Sequence, residues 1–123
     1  MDLTTEAVRL GINMARLRAE VASANIAHVD VAGYHVQRAD FGEAVGLLRE
    51  AEMQPSMEGE RLKSLSSAAL HESVHSEAAD ANTPVSLDHE VAELETASVD
   101  FQSLTTVMSR RFALMQLAMA GRN

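Results

Sequence analysis

From residue 87 to residue 120 the chain holds neither Pro nor Gly, and its apolar positions recur without a slip. Leu87, Val91, Leu94, Ser98, Phe101, Thr105, Met108, Phe112, Met115 and Met119 follow each other in alternating steps of four and three. That spacing is the seam of a coiled-coil helix. Ser86 is placed to cap it, Asp88 and Glu90 fall in its first turn, and Arg110 and Arg111 lie nearer its negative end. Gly121 closes it. Such a helix is roughly 50 Å long at 1.5 Å per residue, more than a compact domain of 123 residues needs, so an extended shape is expected.

A second helix is expected over about 4–29, capped by Thr4 or Thr5, with Glu6 in its first turn. Leu3, Ala7, Leu10, Met14, Leu17, Val21 and Ala24 repeat the four-three alternation. A further set, Val8, Ile12, Ala15, Ala19, Ala22 and Ile26, widens the apolar face beyond what one partner helix covers. Arg16 and Glu20 form an i,i+4 pair on the remaining side. Gly33 supplies a position able to take positive φ where the helix has ended. The fold expected is mainly α, with the two long terminal helices forming an antiparallel coiled-coil hairpin (residues 1–35 and 81–123). A hairpin alone uses one seam per helix. The surplus apolar surface points to packing against other copies.

Between the helices, Asp40 and Glu43 begin a short helix over about 41–53, with Phe41, Ala44, Val45, Leu47 and Leu48 apolar. Residues 54–85 hold both prolines, are rich in Ser, Glu, Ala and His, and keep no sustained period. They read as a loosely ordered or mobile segment with a helical turn within 66–79, so that 36–80 is a short helix plus a mobile acidic stretch. Charge is uneven: residues 40–100 carry fourteen acids against Arg49, Arg61 and Lys63, while 101–123 carry three arginines and no acid. No basic stripe of the kind that neutralises phosphates is present, so nucleic acid is not an expected partner. The absence of cysteine excludes disulfides and thiolate metal sites. Charges through the first 25 residues leave no apolar core for a cleaved secretory signal, and no transmembrane helix is expected.

One catalytic pattern occurs. His71-Glu72-Ser73-Val74-His75 matches H-E-x-x-H, which on a helix sets two imidazoles on one face beside a Glu able to act as general base. A small zinc hydrolase is the alternative reading it supports. The context is poor: a third ligand would have to be His89 or a carboxylate, and aromatic residues for a pocket are nearly absent. The expectation is a non-enzyme with no cofactor, no metal and no small-molecule substrate.

The end of the first helix, Asn25-Ile26-Ala27-His28-Val29-Asp30-Val31-Ala32-Gly33-Tyr34, resembles the A-N-I-A-N-x-x-T-P-G-Y signature of the bacterial flagellar rod and hook axial proteins. His28, Val31 and Ala32 depart from it. Asn82-Thr83-Pro84-Val85-Ser86-Leu87-Asp88-His89-Glu90, Phe101-Gln102, Ser109-Arg110-Arg111-Phe112 and Gly121-Arg122 are similar to the C-terminal pattern of the proximal-rod subunits within that family, with Ala81 in place of the usual Gly. The resemblance covers about 4–45 and 81–122. It implies a subunit exported by the flagellar type III apparatus without a cleaved signal and built into the periplasmic rod of the basal body. Its partners would be other copies of itself, other rod subunits and the membrane-ring and export-gate complex, and its rod would transmit torque. Another axial or adaptor protein of the same pathway fits the resemblance as well. Assembly would then run through Leu10, Met14, Leu17, Val21, Asn25, Ile26, Gly33, Tyr34, Leu87, Val91, Leu94, Phe101, Met108, Phe112 and Met115. Phe41 and Val45 match the family's Phe-x-x-x-apolar export signal.

Overall fold

Asp2 starts the first helix. Its carboxylate accepts from the Thr5 N–H at 2.8 Å, and α1 runs over Leu3–Ala27 in the computed structural model, which describes residues 2–76 and 85–121. The cap therefore falls before Thr4 and Thr5, on the residue type that caps more strongly. Hydrogen bonds from the Thr5 side chain and backbone hold the Asp2 carboxyl below its ordinary range. The chain continues as β1 (Gln37–Ala39), α2 (Gly42–Met53), α3 (Glu60–Lys63), α4 (Ser67–Glu72), β2 (Val74–Ser76) and α5 (Leu87–Ala120). α5 has the extent the uninterrupted sequence predicts, and Ser86 caps it by accepting from the His89 N–H. Gly33 takes φ +78 in the turn after α1, the left-handed conformation that favours glycine.

The fold is mainly helical, with a long helix at each end. α1 and α5 lie side by side and run in opposite directions. Asp2 meets Arg111 at 2.8 Å, Arg18 meets Asp100 at 3.0 Å, and Asn25 meets Glu90 at 3.0 Å. Midway, Gly11 lets α1 approach so closely that an added Cβ would stand 3.1 Å from Leu104 Cδ1.

Part of the middle of the chain packs on α1. Leu62, Leu65 and Leu70 are buried against Leu10 and Leu17 of α1 and Ala44 of α2, in one core. Arg9 fastens this layer by pairing with buried Glu6 at 2.7 Å and donating to the Leu62 carbonyl at 3.3 Å. Arg61 pairs with Glu50 across α2 and α3. β1 and β2 form an antiparallel pair with Arg38 opposite His75. Residues 36–76 thus pack on α1 instead of standing apart from it. Three leucines on separate short elements have no common period, yet each buries about as much apolar surface as a leucine in a regular helix. The remainder of the expected mobile stretch, 77–84, lies outside the described residues.

His71 ties α4 to α1. Its Nδ1 faces the Ser67 carbonyl at 2.7 Å and its Nε2 faces Glu20 Oε2 at 2.9 Å, so only the doubly protonated ring donates to both. The Ser67 bond first, and then Glu20, raise the His71 pKa above 6.5. A raised pKa places this contribution fully below pH 6.5 and removes it as pH rises through the folded value. Urea midpoints are accordingly expected to fall slightly between pH 6 and pH 8, and His71→Gln is expected to flatten that fall. A midpoint whose pH dependence is the same in both proteins would contradict the latch.

Candidate assembly interface

The apolar seam of α5 points at α1 only in part. The side chains that α5 turns toward α1 include Glu90, Leu94, Ala97, Leu104, Met108 and Arg111, all buried or half-buried. At 100° per residue, the heptad stripe starting at Leu87 is rotated by about 60° from that line. Leu94 and Met108 are shared between the two sets. Leu87, Val91, Phe101, Phe112, Met115 and Met119 are exposed instead. On the remaining sides Val99, Val107, Leu114 and Leu117 are also exposed. From Val99 onward exposed apolar side chains therefore occur on more than one side of α5, interleaved with exposed Gln102, Thr105, Thr106, Ser109 and Gln116. Large apolar side chains left open in this number mark a contact surface, and α1 covers one side of the helix.

The residues expected at the interface divide accordingly. Leu10, Leu17 and Asn25 are buried, with Met14 and Val21 packed beside that core, so α1's main seam is spent within the chain. Ile26 and Tyr34 are half-buried, and Gly33 is exposed.

The rotation of α5 is fixed by a buried polar junction. Asn25 is fully buried and uses its amide four times. Nδ2 donates to the Gln37 carbonyl at 3.1 Å and to Glu90 Oε2 at 3.0 Å; Oδ1 accepts from the Gln37 N–H at 2.9 Å and the Tyr34 hydroxyl at 3.0 Å. Glu90, 1 % exposed, places Oε1 2.8 Å from Arg38 Nη1, an ion pair held by charge more than by an aligned hydrogen bond. The His28 ring stacks on Tyr34 with centroids 4.5 Å apart. Burial, and then the Glu90 charge, push the Tyr34 hydroxyl pKa up, so it stays a donor. Asn25 and Tyr34 thereby join the end of α1, strand β1 and the start of α5. Asn25, held by Gln37 and Tyr34, and Arg38 together hold the Glu90 carboxylate, and α5 is positioned with it.

A cleft of about 160 Å³ opens beside this junction between α1, β1 and α5. Val21 and Phe41 form part of its wall; of its charged groups Arg18 pairs with Asp100 and Arg38 with Glu90, and Glu93 lines it as well. Phe41 is half-buried against the core and Val45 is exposed on α2, so the two residues of the export-signal pattern do not share an environment. The H-E-x-x-H residues are not on one helical face. α4 ends at Glu72, His75 lies in β2, and His71 is engaged by Ser67 and Glu20. Among the described residues no group of three or more His, Asp or Glu is arranged to hold a metal ion, and no helix is long and apolar enough to cross a membrane.

The signals missed at the sequence level are Gly11, Arg38 and Glu90. Glu90 carried one: an acid between Leu87, Val91 and Leu94, on a helix that must bury one side. No protein-family model, curated protein or solved structure matches the chain.

Proposed function

We propose that this chain is a structural subunit that polymerises through its two terminal helices, in the manner of the proximal-rod subunits of the bacterial flagellar basal body. The observation that carries the reading is the number of large apolar side chains that α5 leaves exposed from Val99 to Met119 (Val99, Val107, Phe112, Leu114, Leu117 and Met119 among them), with α1 covering one side only. In this reading α1 and α5 form an antiparallel coiled-coil hairpin, and the wall of a helical tube covers what the hairpin leaves open. Copies of the chain and other rod subunits are its neighbours, and the membrane-ring and export-gate complex is its base. The acidic surface of the middle layer keeps the subunit soluble before it assembles. No catalytic step is assigned to it, and the placement of His71 and His75 lends a zinc hydrolase no support.

The test is genetic and structural together. Deleting the gene in the bacterium that carries it is expected to abolish swimming and to leave basal bodies without a rod in electron cryotomograms. Restoring the gene returns both. Motile deletion cells with complete rods would contradict the reading.

A further inference from the structure

The cleft beside the Asn25 junction holds more negative charge than it pairs. Val21, Ala22, Ala39 and Phe41 give it apolar walls, and none of the four is exposed. Its charges come from Arg18, Arg38, Glu90 and Glu93. Arg18 pairs with Asp100 at 3.0 Å and Arg38 with Glu90 at 2.8 Å. Glu93 is half-buried and has neither a hydrogen bond nor an ion pair among the described residues. One turn before it on the same side of α5 stands Glu90. Glu90 is 1 % exposed, and its Oε1 accepts no hydrogen bond among the described residues. Two acids short of donors thus line one apolar-walled cleft.

Size and charge together narrow the class of ligand. An engineered apolar cavity of about 150 Å³ holds benzene, a molecule of about six heavy atoms. This cleft, at about 160 Å³, is of that size. A carboxylate or phosphate would meet two arginines that already hold acids, and Glu93 would repel it. A metal ion would find no group of three ligating side chains among the described residues. A primary ammonium on a short alkyl stem meets both conditions: the stem covers the walls, and the ammonium brings three donors.

We infer that the cleft between α1, β1 and α5 binds an alkylammonium group, its stem against Val21 and Phe41 and its charge on Glu93, with the buried Glu90 carboxylate behind it. Free short-chain amines and the lysine side chain of another protein share this chemistry. Away from bulk water the attraction exceeds that of the same pair on an open surface. A cation seated there ties β1 to α1 and α5 whether or not the chain polymerises, so its binding raises the melting temperature by mass action.

The probes are n-butylammonium and putrescine for free amines, Nα-acetyl-lysine N-methylamide for a lysine within a protein, and butyrate as an anion of the same size. Each is titrated into the purified protein and followed by amide NMR shifts and by melting temperature. Saturable shifts at Ala39, Phe41 and Glu93 are expected with butylammonium and not with butyrate. Glu93→Gln is expected to weaken binding about tenfold or more, the loss of one charged hydrogen-bond partner. Glu95→Gln makes the same charge change at an exposed position outside the cleft and is expected to leave binding unchanged. Circular dichroism checks that both variants keep the wild-type helix content. Equal binding of the lysine derivative supports the site and assigns it to a protein side chain; binding of the free amines alone supports it and assigns it to a small amine. Butyrate binding as tightly as butylammonium, equal effects of the two substitutions, or no saturable shift with any ammonium probe would overturn the site.

Discussion

Asn25→Asp is expected to leave the protein largely unfolded at neutral pH. The substitution keeps the shape of the side chain and changes only its hydrogen-bonding character. The amide nitrogen that donates to the Gln37 carbonyl and to Glu90 Oε2 becomes an acceptor facing two acceptors, each about 3 Å away. A second carboxylate then shares a buried site with Glu90, and the single Arg38 guanidinium cannot neutralise both. Breaking a buried charge pairing in this way costs about 3–5 kcal/mol, a large part of the 5–15 kcal/mol available to a typical domain. Acidification to about pH 4–5 is expected to recover part of the loss, because two carboxyls this close titrate with one pKa strongly raised. Urea titration followed by circular dichroism measures both. A loss below about 1 kcal/mol, the value of one ordinary hydrogen bond, would contradict the role given to the junction.

Phe112→Asp is expected to do the reverse: to spare the fold and abolish assembly. Phe112 is exposed on α5 beside the point where α1 begins. A charge there meets water in the monomer, and surface changes of that sort shift stability by about 0.5 kcal/mol or less. In an assembly the same carboxylate would be buried among apolar side chains without a partner, at a cost of several kcal/mol per subunit contact. Cells expressing the variant are expected to be non-motile while its purified monomer melts like the wild type. Normal swimming, or a monomer that unfolds, would show that this position is not a contact between subunits.

These two residues also mark what was legible in the sequence and what was not. The extent of α5, its Ser86 cap and its closing Gly121 follow from local rules: no breaker, a side-chain acceptor at the start, a steady period. The direction α5 faces is not a local property. A heptad stripe records that some helix packs there without recording which one. Asn25 and Glu90 meet across 65 positions of sequence, and it is their contact, with Gly11 and Ala97 permitting close approach, that turns the stripe partly away from α1. The middle layer was hidden for a different reason. Leu62, Leu65 and Leu70 sit on elements of four and six residues and the link between them, too short to build a period, and three-residue strands leave no alternation to read. Of the candidate interface, the residues on α5 were visible as a heptad stripe, whereas the surplus apolar surface was expected on the first helix, where Ala15 and Ala22 are buried and Leu10, Leu17 and Asn25 serve the chain's own interior.

The central claim is that the outer surface of α5, open in the monomer, is closed in an assembly. The chain contains no cysteine, so a single thiol can be placed there without interference. Val107→Cys, Phe112→Cys and Leu117→Cys put one reporter on each of three sides of the helix, at positions exposed in the monomer. The rate of maleimide modification is then compared between purified monomer and basal bodies isolated from cells. Rapid labelling of all three in the monomer and many-fold slower labelling in the assembled state is the result expected. Equal rates in the two states would contradict the claim.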